Sequence, residues 1–130
     1  MAEYTKVNLK EVEDMAPKFG MAPDMESRFA RRALELENSG LSYFKVAPNS
    51  RLPFGHKHTE QEEVYLLLAG GARFKLDDEV IELGAWDALR VPVDTMRGME
   101  AGPEGAEILA FGAPNTENKD AEMAQGWWSD

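Results

Sequence analysis

The chain has 130 residues, 43% of them hydrophobic, which suits one domain with a real core and excludes wholesale disorder. Fourteen Lys and Arg stand against 24 Asp and Glu, a net charge of −10 with histidine neutral. Arg28, Arg31 and Arg32 form the densest basic group, too thin to engage a phosphate backbone, so nucleic acid is not expected as a partner.

Cysteine is absent, which removes disulfides, thiolate metal sites and a cysteine nucleophile; the histidines number two. The stretch Met1 to Lys6 lacks the charged-then-apolar texture of a signal peptide. The longest apolar run, around residues 64–71, is far too short to span a bilayer. These features predict a soluble, cytoplasmic protein with no membrane partner.

Residues 1–40 read as a helical extension packed on the body. Leu9, Val12 and Met15 recur near helical spacing, and Ser27 is placed to cap a helix over 28–36, stopped by Asn38-Ser39-Gly40. A strand alternating through Phe29, Arg31, Ala33 and Glu35 is the weaker alternative.

From Leu41 the period becomes two. Strands are predicted at 41–46, at 64–68 (closed by Gly70-Gly71), at 73–76, at 79–83, at 88–91 and at 107–111. Short strands punctuated by Gly, Pro and Asp argue an all-β sandwich or barrel over 41–114. The polar tail 115–130 ends in Trp127-Trp128, which would pin it to the barrel or to a partner subunit.

The two histidines are His56 and His58, and on a strand residues i and i+2 share a face. Glu63 follows five residues later, and a turn between them would bring its carboxylate to the same side. Two imidazoles and a carboxylate can hold one side of an ion and leave other positions open. Glu62 is the register alternative, since a slip of one residue exchanges which carboxylate enters. By alternation, Tyr65 and Leu67 follow Glu63 inward, and Met99 follows Arg97. Leu109 and Phe111 share a face expected to be core or pocket wall.

Gly55-His56-Lys57-His58, Glu63 and Gly70 together resemble the first motif of the cupins, the RmlC-like jelly-roll superfamily. In the second motif Pro92 matches, whereas Asp94 stands where a Gly is usual and Arg97 where a His is usual. The resemblance implies a small all-β cupin: a double-stranded β-helix, or jelly-roll barrel, often a homodimer. It implies His56, His58 and Glu63 as ligands of one divalent transition metal, Fe, Mn, Ni or Zn. Arg97 has no lone pair and keeps its charge, so it cannot be the fourth ligand.

Two expectations follow. If Arg97 points inward and pairs with Glu63 or Glu62, the protein is a small-molecule-binding cupin that holds metal weakly or not at all. If instead Arg97, with Tyr65 and Glu62 nearby, receives an acidic ligand beside a bound ion, a metal-dependent enzyme is expected. Oxygenase, isomerase and decarboxylase chemistry are all open to it.

Overall fold

A computed structural model describes residues 2–130 as one eight-stranded antiparallel sheet that curls on itself. The strands are β1 (Met25–Phe29), β2 (Gly40–Val46), β3 (Phe54–His58), β4 (Glu62–Leu76), β5 (Glu79–Gly84), β6 (Ala88–Val91), β7 (Arg97–Ala113) and β8 (Ala121–Gln125). The long strands β4 and β7 pair along their lengths and are shared by two layers. The first half of β4 and the second half of β7 sit with β1, β2 and β6; their other halves sit with β3, β5 and β8.

The bend that lets two strands serve two layers lies at Gly70. The β4–β7 register shifts on both sides of it, between Leu67 and Ala69 and between Gly70 and Ala72. Gly70 has φ +80°, and a Cβ there would lie 2.0 Å from the carbonyl oxygen of Gly105, so only glycine fits. The expected strand end at Gly70-Gly71 is therefore a bulged bend inside one continuous strand.

Between the layers lies an apolar core that includes Val46, Tyr65, Leu67, Phe74, Val91, Met99 and Ile108. Alternation predicts Tyr65, Leu67 and Met99 correctly. It fails for Leu109 and Phe111: Ile108 and Ala110 are the buried residues of that stretch, and Phe111 is 50% exposed on the outer face. The register of β7 is set by its pairing with β2 and β4, and both parities of this apolar run offered a plausible inner face.

The N-terminal helix expected over 28–36 does not form. Among the described residues helical structure is confined to short 3-10 turns at Leu9–Glu11 and Ala16–Phe19. Ser27 is a fully buried residue of β1 instead of a helix cap, and its N–H donates to Asp14. Strand β1 alternates Met25 and Ser27 inward against Glu26 and Arg28, which pair with each other at 2.7 Å. Pairing with β2 overrides the helical propensity of this segment. Residues 31–35 make a turn, with Glu35 at φ 57°.

The tail contributes more than an anchor. Its strand β8 pairs with β3 along Phe54 to His58. Beyond it, Trp127 covers Gly55 and Gly98 so closely that a Cβ on Gly55 would meet its ring at 2.6 Å. Trp128 is buried, with the Arg51 guanidinium 4.3 Å from its ring centroid. The two indoles therefore pack on this chain's own barrel.

Candidate functional site

Strand β3 places His56 and His58 on one face, with ring centroids 5.1 Å apart and planes nearly perpendicular. Strand β7 sets Arg97 directly across from His56. From the other layer, β4 begins by delivering Glu63 and, two residues on, Tyr65. The register resolves the two carboxylates. Glu63 is 14% exposed and faces the histidines, whereas Glu62 is 58% exposed and pairs with Arg90 at 3.2 Å on the outside. Glu62 therefore takes no part in the interior cluster.

Glu63 is the hub. Its Oε1 accepts a hydrogen bond from the Tyr65 hydroxyl and lies 3.8 Å from His56 Nε2 and 3.7 Å from Arg97 Nη1. Burial raises the Glu63 carboxyl, but the neighbouring His56 imidazole, the Tyr65 hydrogen bond and the charge of Arg97 outweigh it, and the group is held below its ordinary value. Burial lowers the basicity of His56, and Arg97 and His58 add to that, only partly opposed by Glu63. Burial and the charge of Glu63 push the Tyr65 phenol well up, so it stays protonated as a donor.

Arg97 is 1% exposed, and none of its three guanidinium nitrogens has a hydrogen-bond partner among the described residues. Its 3.7 Å approach to Glu63 is an ion pair at a distance and satisfies no donor. A buried charge without hydrogen bonds costs several kcal/mol, about 3–5 when a buried pair loses one member.

At the far side of His58 the situation is reversed. His58 Nδ1 lies 3.0 Å from Asp120 Oδ1, with both side chains at most 3% exposed. Asp120 also accepts from Thr116 Oγ1 at 2.5 Å and from the backbone N–H groups of Glu60 and Gln61, each at 2.9 Å. Burial alone would raise this carboxyl; the hydrogen bonds from Thr116, His58, Glu60 and Gln61 more than reverse that and hold it far below the usual carboxylate range. Asp120 was not among the residues expected from the sequence. It lies 62 positions after His58, in a tail whose only sequence signal was its tryptophans.

The donor atoms of His56, His58 and Glu63 all lie within 4.8 Å of one another, a set that could hold a metal ion. Two imidazoles, one carboxylate and a carboxylate behind one imidazole suit a divalent transition metal, so the donor set fits. Arg97 works against it, because its fixed charge stands beside the carboxylate the ion would share.

No protein-family model and no curated protein matches the sequence. Solved structures do. A cupin protein from Bacteroides fragilis aligns at TM-score 0.72 and 24% identity, over 89% of this chain and 88% of the other. A variant of Streptomyces PAC13 with uridine aligns at TM-score 0.75 and 16% identity, over 96% and 93% of the two chains. Oxalate decarboxylase from Bacillus subtilis aligns at TM-score 0.77 and 20% identity, over 96% of this chain but 33% of its own length. The chain has the cupin fold, as its first motif implied.

Proposed function

We propose that the barrel interior binds a small carboxylate-bearing molecule, with Arg97 as the group that receives the carboxylate. One observation carries this reading: a guanidinium 1% exposed, with no hydrogen-bond partner for its three nitrogens among the described residues, inside a cluster of hydrogen-bonding side chains. A planar fork of donors in a dry setting is matched by a carboxylate accepting two parallel hydrogen bonds. Tyr65 and His56 lie on the same side and can take up polar groups at the other end of a small ligand. Entry is from the side of His56, whose side chain is 22% exposed and the most open of the cluster.

In this reading His56, His58 and Glu63 hold a divalent metal weakly, because Arg97 supplies positive charge to Glu63 where a further ligand would be expected. The test is titration calorimetry with acetate, oxalate and malonate, against acetamide and malonamide as neutral isosteres. Carboxylates binding at least tenfold tighter than the amides, and losing that advantage in Arg97→Gln, supports the reading. Amides binding as tightly overturns it.

A second reading is favoured by the Asp120 carboxylate behind His58, an arrangement common behind metal-bound imidazoles. Here the three donors hold Fe, Mn, Ni or Zn and the protein is a metal-dependent enzyme of oxygenase, isomerase or decarboxylase type acting on a small acid. A bound ion would supply Lewis acidity or redox capacity, and Arg97 would orient the acid beside it. Near-stoichiometric metal in protein purified without added metal would select this reading over the first.

A further inference from the structure

We propose that Asp120 is a positioning residue that locks His58 in the tautomer with its proton on Nδ1, so that the C-terminal tail completes the interior site. The inference rests on His58 belonging to the site described above and assigns a role to a residue outside the motif.

The hydrogen-bond inventory of the carboxylate decides the tautomer. Backbone N–H groups of Glu60 and Gln61 donate to Oδ2, and Thr116 Oγ1 donates to Oδ1, so Asp120 acts as an acceptor. The remaining contact, Oδ1 to His58 Nδ1 at 3.0 Å, then requires the imidazole to donate. A neutral imidazole with its proton on Nδ1 keeps a lone pair on Nε2, the nitrogen that can accept a proton or bind a cation.

The backbone holds this pairing in place. Thr59 N donates to the Asp120 carbonyl at 3.2 Å, and Asp94 N donates to the His58 carbonyl at 2.8 Å. Asp120 reaches His58 because Glu117 and Asn118 turn the chain in the left-handed region, at φ 56° and 62°, just before β8 begins its pairing with β3. Among the described residues His56 Nδ1 has no such partner, so the lock acts on one histidine of the pair.

Asparagine at 120 provides a sharp test, because its amide can keep accepting from Glu60 and Gln61 while its NH2 donates to His58 Nδ1. That forces the imidazole proton to Nε2. Long-range 15N–1H NMR on 15N-labelled, metal-free protein reads the tautomer directly. The expected result is an Nδ1-protonated His58 in the native chain, an Nε2-protonated one in Asp120→Asn, and no change in Thr116→Val. The Val variant removes one hydrogen bond from the same carboxylate without supplying a donor to the ring.

Zn2+ titration of the same proteins should show affinity at least tenfold lower in Asp120→Asn and within threefold of native in Thr116→Val. An Nε2-protonated His58 in the native chain overturns the proposal, as does an equal loss of Zn2+ affinity in both variants. If the Asn variant does not fold, the native tautomer alone decides. Because the tautomer is read without any ligand, this result stands apart from whether the interior binds carboxylates.

Discussion

The two ends of the interior cluster are built to opposite rules. Behind His58 the Nδ1 side is fully paired: the imidazole donates to Asp120, and Asp120 is filled by Thr116, Glu60 and Gln61. Around Arg97, a few residues away across the sheet, three buried donors have none among the described residues. The Asp120 carboxylate is scaffold, since its hydrogen bonds are all made within the protein, and it leaves only Nε2 of His58 facing the cluster. An unsaturated charge in an otherwise close-packed core stores a cost that a complementary ligand relieves. The contrast locates recognition at Arg97 and rigidity at Asp120.

The largest effect is expected from Asp120→Ala. It leaves the N–H groups of Glu60 and Gln61 and the His58 ring without their common acceptor, and should destabilise the chain by about 3–5 kcal/mol. Urea unfolding followed by circular dichroism measures this. A loss below about 1 kcal/mol would mean that the saturated end is not scaffold.

The opposite end should respond with the opposite sign. Arg97→Met combined with Glu63→Gln keeps the side-chain lengths and removes both members of the buried pair, so the protein should gain about 1–4 kcal/mol of stability. It should also lose its preference for carboxylates over amides. A destabilised double variant would show that the guanidinium is already satisfied, which would remove the reason to expect an anion.

Acid unfolding separates the two ends again. The folded-state value of Asp120 is depressed below its unfolded one, so the unfolded chain binds the proton more readily. Its contribution is therefore fully present above the unfolded carboxylate value, near pH 4, and is lost as pH falls towards the folded value. Melting temperatures between about pH 5 and 2 should fall less steeply in Asp120→Asn than in the native chain. Parallel curves would show that this carboxylate gains nothing from its setting.

What was legible in the sequence divides along the same line. His56, His58, Glu63 and Gly70 follow from local spacing on consecutive strands, where a period of two fixes which side chains share a face. The inward turn of Arg97 was legible as an alternative because it sits at a motif position. Asp120 was not, since its role depends on β8 returning to pair with β3 and on hydrogen bonds to backbone groups, which carry no residue signature. The N-terminal strand was missed for a related reason. Ser27 before a run of good helix formers reads as a cap, and only its burial against β2 reveals a strand.

The smallest expected effect concerns the neighbour of the hub. Glu62 and Glu63 are adjacent in sequence and chemically near identical, yet the pleat sends one out to Arg90 and the other in to His56 and Arg97. An exposed ion pair of this kind contributes little, so Glu62→Gln should change stability by less than about 0.5 kcal/mol. Carboxylate affinity should stay within twofold of native, because no atom of Glu62 faces the interior cluster. A tenfold change in binding with unchanged stability would place Glu62 at the site after all. It would mean that β4 enters the barrel one residue out of the register described, with every later side chain of its first half facing the wrong layer.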